Sequence, residues 1–280
     1  MNEAELQAAL GRTSAWRGVL DPFPARALAA ALDHRELPRA GDPLPPFWHH
    51  LYGHEPVRAA DTGPDGHRAT GSFLPKSDLP RRMWAGGRLR FFAPLRLGER
   101  VRRTSRIARI QPKRGRSGRL LFVTVEHLWE GERGPALVEE QDIVYREPVP
   151  LSEPPRFTPP ADLETTRRWL PDEVLLFRYS ALTYNGHRIH YDQRYARQVE
   201  GYPDLVVHGP LIATLMLELV REVRPDVRLV RFDFRARAPL FVRRPLVIGL
   251  AASADHTFEL WAWGEEGPLA MEGRAELAGS

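Results

Sequence analysis

The stretch Tyr179-Ser180-Ala181-Leu182-Thr183-Tyr184-Asn185-Gly186-His187-Arg188-Ile189-His190-Tyr191-Asp192 reads as a polar loop dense in hydrogen-bonding groups. Downstream, His208-Gly209-Pro210 opens an apolar run over residues 211–220. Asp192 offers a side-chain oxygen to cap a short helix over 193–199, which gives the loop a fixed end. Pro210 presets φ for the first turn of a longer helix, and the N–H of Gly209 points out of its positive end. An oxygen gaining negative charge would be stabilised there. On that helix Thr214, Glu218, Arg221 and Glu222 form the polar stripe. Leu211, Ile212, Leu215, Met216, Leu219 and Val220 cover the rest, so most of its circumference is expected to be buried. A polar loop beside the start of a buried helix is how a pocket is built.

These residues carry a resemblance. The loop ending in His190-Tyr191-Asp192, the turn Gly201-Tyr202-Pro203 and the segment Val206-Val207-His208-Gly209-Pro210-Leu211 resemble the hydratase-2 motif of MaoC-like enzymes. Within that superfamily, Asn185-Gly186-His187-Arg188-Ile189-His190-Tyr191-Asp192 is similar to the form found in type-2 hydroxyacyl-thioester dehydratases and mesaconyl-CoA hydratases. Met83-Trp84-Ala85-Gly86-Gly87 and Lys113-Arg114-Gly115-Arg116-Ser117-Gly118 resemble the first half of the same family. The resemblance implies an α+β hotdog fold and a hydro-lyase that adds or removes water across the 2,3 bond of an acyl thioester. It implies no cofactor beyond the coenzyme A of the substrate, and an acyl-CoA or acyl-carrier thioester as partner.

It also implies site residues. The family's loop usually begins with Asp, which binds the reacting water together with the His, while an N–H at the helix start holds the thioester oxygen; here these positions are Asn185, His190 and Gly209. An amide cannot accept a proton. Asn185 is therefore expected to orient water, and His190, with an ordinary pKa of about 6.5, to transfer the proton. Arg188 is a candidate for a substrate carboxylate or for fixing the loop, and His208 for orienting or packing beneath the helix start. His187 completes the substrate-binding candidates in the loop. Lys113, Arg114 and Arg116 read either as a solvated hairpin tip or as partners for coenzyme phosphates, which arginine forks suit.

The rest of the chain sets bounds. With 280 residues and 42% hydrophobic content there is ample material for a core. No run approaches the roughly 20 apolar residues of a membrane span, and the start, MNEAELQAALGRT, lacks the pattern of a signal peptide, so a cytoplasmic, membrane-free protein is expected. There is no cysteine, which removes disulfides, thiol nucleophiles and thiolate metal sites. The net charge of +4 comes from arginines dispersed among 36 acids, unlike the concentrated basic face of a nucleic-acid binder. His50 and His54 have helical i,i+4 spacing without a third ligand pattern, and Asp192 after His187 and His190 is better explained as a helix cap; no metal is assigned.

Along the chain, residues 1–40 suggest one or two helices, the clearer at 24–34, and 47–54 an aromatic packing segment. Strand-type alternation appears at 88–92, 101–110, 120–129 and 136–145, then again at 228–238, 246–252, 258–263 and 268–277. Six prolines between 147 and 160 mark a linker. The two meanders look like copies, Ala93-Pro94-Leu95 matching Ala238-Pro239-Leu240 and Trp129 with Gly134-Pro135 matching Trp263 with Gly267-Pro268. A double hotdog is expected: 1–147 as a unit without the catalytic motif, 148–163 as linker, and 164–280 as the unit with the active site, working as a monomer or a homo-oligomer. Competing readings are a hotdog thioesterase, which would need a carboxylate near the helix start where Glu218 lies too deep, and a non-catalytic acyl-CoA binding protein.

Overall fold

The computed structural model describes residues 3–115, 118–148, 154–254 and 256–279. In chain order the elements are α1 (Glu3–Ala9), β1 (Thr13–Val19), α2 (Pro22–Ala31), β2 (Arg81–Phe91), β3 (Arg100–Gly115), β4 (Gly118–Gly131) and β5 (Gly134–Arg146). A second series follows: β6 (Thr165–Trp169), α3 (Glu173–Leu182), α4 (Gln193–Gln198), α5 (Gly209–Val223), β7 (Leu229–Ala236), β8 (Leu246–Ala254), β9 (Thr257–Gly264) and β10 (Leu269–Leu277). The strands form one ten-stranded antiparallel sheet in the order β1-β3-β4-β5-β2-β7-β10-β9-β8-β6. Read outward from the β2–β7 seam, the two sides have the same topology. This is the double hotdog, its halves joined edge to edge where Gly86 to Arg90 pair with Arg235 to Arg231.

The repeat extends into the connections. The N-cap Asp21 of α2 and the N-cap Asp172 of α3 each accept a backbone N–H from the first turn. Each helix ends two residues before a left-handed residue, Asp33 (φ 59°) and Tyr184 (φ 48°). His34 N–H then donates to Ala29 O (2.9 Å), and Asn185 N–H to Ser180 O (2.8 Å), the same bond in both copies. Further on, Leu44 N–H to Leu95 O (2.7 Å) repeats as Val207 N–H to Leu240 O (2.8 Å), and the bridge Pro43 with Arg96 repeats as Val206 with Phe241. That register puts Pro45 and Pro46 where the second half has His208 and Gly209.

The halves diverge at the helix. Residues Leu211 to Val220 of α5 are all buried, and the helix lies against β8, β9 and β10. Each buried Leu, Ile or Met there contributes roughly 1.5–3 kcal/mol relative to exposure. In the first half the counterpart is one 3-10 turn, Trp48–Leu51, while α2 packs on α3. The aromatic segment does fill a core, with Phe47, Trp48, His49, Leu51 and Tyr52 buried.

Several expectations shift. The helix expected at 24–34 runs from Pro22 to Ala31, stopped by left-handed Asp33. Strands β1 and β6 occupy segments without clear apolar alternation, because they are outer strands with alternating exposed residues. The organising stretch is not loop throughout: Tyr179 to Leu182 are the last residues of α3, and the loop proper starts at Thr183. Between β5 and β6, Phe157 N–H bonds Gly267 O (2.9 Å), which straps the proline-rich connection onto the second half.

Candidate active site

The end of α3, the loop after it and the start of α5 converge. His190, in a 3-10 turn, is 7% exposed. Its Nδ1 lies 2.7 Å from Val206 O, so Nδ1–H donates there and Nε2 keeps the lone pair. Burial lowers its pKa to about 4, against the opposing pull of that carbonyl, and the ring is neutral near pH 7. It stacks on His208 (3.7 Å, 18°), the residue just before Gly209. His208, fully buried, bonds Ser180 Oγ through Nε2 (2.8 Å), and burial followed by His190 and His187 holds its pKa well below the ordinary value. It packs beneath the helix start.

Asn185 Oδ1 accepts the His187 N–H (3.0 Å), closing a local turn that shapes the loop and leaves the amide NH2 to donate. The His187 ring meets His190 edge-on at 5.5 Å. Burial, then His67 and His190, keeps His187 far below the usual histidine pKa. Gly209 begins α5, where its N–H has no partner within the helix. A Cβ at this position would come within 2.9 Å of the Trp84 ring, so glycine is what lets that indole lie on the helix start.

The sequence model of the hydroxyacyl-thioester dehydratase type 2 family matches residues 47–242. This chain belongs to that family. It is 44% identical to mesaconyl-C(4)-CoA hydratase of Chloroflexus aurantiacus over the whole of both chains, and 29% identical to the mitochondrial type 2 hydroxyacyl-thioester dehydratase of Schizosaccharomyces pombe over 76% of this chain and 79% of that one. Among solved structures, a MaoC-like dehydratase from Phytophthora capsici superposes with a TM-score of 0.73 at 14% identity, covering both chains fully. A Mycobacterium tuberculosis protein described as having a double hotdog fold gives 0.55 at 14% identity over 96% of each chain. These two support the fold; membership of the dehydratase family makes the chain a hydro-lyase acting on acyl thioesters. Among the described residues no helix is long and apolar enough to cross a membrane.

In this dehydratase the remaining predicted residues have distinct places. Arg188 is held by three partners: it bonds Asp192 (2.7 Å) and Pro64 O (3.1 Å), and stacks 4.3 Å over Tyr195. That is the arrangement of a loop brace. Lys113 and Arg114 are exposed at the β3–β4 tip, with the Lys113 Nζ 4.7 Å from the centre of the Phe122 ring. Arg116 lies outside the described residues. Glu218 is buried two turns and more along α5, bound to Trp48 Nε1 (2.9 Å) and Arg221 (2.8 Å), so it is not presented at the helix start.

The first half supplies what sequence reasoning missed. The turn Asp65-Gly66-His67 presses on the loop from Asn185 to Asp192, with Arg188 N–H donating to Asp65 O (2.9 Å). A Cβ on Gly66 would sit 1.9 Å from Gly186 O, so two backbones touch where no side chain fits. His67 Nδ1 is 3.0 Å from Asp65 Oδ2, and its ring is 4.2 Å from that of His187. Asp65, His67 and His187 are close enough to hold a metal ion, as are His49, His50 and Glu139 in the core of the first half. In both groups a carboxylate already bonds imidazole nitrogen, at 2.8–3.0 Å. The His54 Nε2 lies 2.9 Å from the His50 carbonyl oxygen.

Proposed function

We propose that this protein hydrates a short, branched enoyl-CoA of the mesaconyl-C(4)-CoA type and runs the reverse dehydration at the same site. The observation that carries the reading is His190: buried, neutral, its Nδ1–H committed to Val206 O and its Nε2 lone pair left for chemistry beside the start of α5. Identity of 44% over the full length to a mesaconyl-C(4)-CoA hydratase supports the substrate.

In the hydration direction, His190 Nε2 takes a proton from water as the oxygen adds to C3. The C2–C3 π electrons move onto the thioester oxygen, which the Gly209 N–H at the positive end of α5 stabilises. The imidazolium then gives its proton to C2, the C=O re-forms and His190 is neutral again. The Asn185 amide holds the water. Addition of water is redox-neutral, so the scheme calls for no cofactor beyond coenzyme A in the substrate. Lys113 and Arg114 are proposed to meet its phosphates: Lys113, Leu120, Arg146 and Arg81 are successive cross-strand neighbours, which places the tip three strand spacings, about 14 Å, from the end of β2 near the site. The reading assigns the enzyme to acyl-CoA and fatty acid metabolism in the cytoplasm.

Incubation with mesaconyl-C(4)-CoA and crotonyl-CoA tests it. Loss of enoyl absorbance without free thiol is the expected result. Thiol release would make the protein a thioesterase, and inertness toward both would leave it a binding protein.

A further inference from the structure

One cation at this site has no ion-pair partner of its own. The imidazoles of His67, His187, His190 and His208 form a chain of ring contacts, at 4.2, 5.5 and 3.7 Å, with the carboxylate of Asp65 at its His67 end. Both oxygens of that carboxylate are committed to His67: Oδ1 accepts its backbone N–H (3.1 Å) and Oδ2 is 3.0 Å from its Nδ1. Arg82 lies on β2 two residues before Trp84, hence on the same face of the strand, and is half-buried opposite Tyr145. It is near enough to Asp65, His67 and His187 to bias the protonation of all three. Three neighbouring arginines have carboxylate partners: Arg81 has Glu200 (3.4 Å), Arg88 has Glu140 and Asp142 (2.7 Å each), and Arg188 has Asp192. Among the described residues Arg82 has no ion pair.

A guanidinium held half out of water with no carboxylate at ion-pair distance among the described residues, on the strand face that carries Trp84 to the helix start, is placed to receive an anion. We infer that Arg82 binds a free carboxylate on the acyl part of the substrate, and so selects dicarboxylic enoyl thioesters over simple ones. The inference rests on the acyl-thioester reading above and deepens it. Its planar fork matches a carboxylate with two parallel hydrogen bonds, which a lysine cannot reproduce. Arg188, the sequence's candidate for this role, is already tied to Asp192.

Binding of unreactive analogues tests the assignment separately from catalysis. Succinyl-CoA and butyryl-CoA have the same acyl length and the same coenzyme, and neither has a 2,3 double bond to hydrate. By titration calorimetry the wild-type protein is expected to prefer succinyl-CoA. Arg82→Gln should weaken succinyl-CoA by about 30-fold or more and butyryl-CoA by less than about threefold, as for removing one partner of a sheltered charge pair. Arg82→Lys should fall between, again on succinyl-CoA alone, and retained butyryl-CoA binding reports an intact pocket. Equal weakening of both analogues would make Arg82 a contact for the coenzyme or a structural residue, and unchanged succinyl-CoA binding would remove it from the site; either overturns the inference. A protein that hydrates nothing yet shows the selective loss would sink the hydratase reading and leave this one standing.

Discussion

The two halves trace the same path as far as the residue that would begin the central helix, and there one presents the candidate site and the other does not. Pro46 stands at the position of Gly209, and proline has no N–H to offer an oxyanion. Pro45 replaces His208, and His34 stands where Asn185 would be. The connection that carries His190 in the second half is shorter in the first: Asp42 follows His34 by eight positions, whereas Leu205 follows Asn185 by twenty. The first half has instead lent Trp84 and His67 to the site across the seam. A duplicated fold can thus lose its own chemistry by two prolines and a deletion while becoming a wall of its twin's pocket.

The comparison breaks most directly at His190, which has no counterpart in the first half. His190→Ala should lower turnover by about two orders of magnitude or more without unfolding the protein, read as kcat beside a circular dichroism spectrum. Near wild-type kcat in a folded variant would overturn the assignment. The pseudo-equivalent pair Asn185 and His34 sharpens it. Asn185→Ala should cost about 10²-fold in kcat/KM through misplaced water, while His34→Ala, which loses an imidazole 3.2 Å from Glu218, should leave kcat/KM within about threefold and lower the melting temperature. Equal kinetic losses would mean that the halves share the work. Next come the helix starts: Gly209→Ala forces the Trp84 ring aside and should reduce kcat about tenfold, whereas Pro46→Ala should leave kcat unchanged. Steady-state kinetics on both variants decides this.

The smallest effect is on stability. Burial lowers the pKa of His190 to about 4 in the second half and of His127 to about 4 in the first. A folded-state pKa below the unfolded value of about 6.5 means that the unfolded chain binds more protons as pH falls. Stability is then full above about pH 6.5 and declines toward pH 4, so the melting temperature should drop by several degrees between pH 7 and pH 4.5. His190→Ala should flatten part of that slope. A melting temperature independent of pH over this range would contradict the buried, neutral histidines.

Much of this was legible in the chain. The loop from Asn185 to Asp192 and the His208-Gly209-Pro210 start could be read because each is local: a cap, a proline at the first turn and a run of apolar residues act over a few positions. The repeat was visible in Ala-Pro-Leu, since that turn ends the seam strand in both halves. What escaped is non-local. Arg82 and Asp65-Gly66-His67 gain meaning through residues far away in sequence, and the segment from 53 to 80 has no periodicity to place it. A hint was present in Pro64-Asp65-Gly66, turn chemistry with a histidine behind it. Strands β1 and β6 escaped for another reason, since an outer strand with one wet face needs few apolar residues.

The crossing of Gly66 over Gly186 has a consequence for time as well as for shape. The bond from Arg188 to Pro64 joins residues 124 positions apart in the chain. Contacts of such separation form late, after local turns and the hairpins of each half. During synthesis the Asp65-Gly66-His67 turn and β2 leave the ribosome long before the residues they will serve, and each half can fold as a unit first. Because the loop that carries His190 rests on the Asp65-Gly66-His67 turn of the other half, reactivity toward thioesters is expected only once the two halves have docked, glycine against glycine.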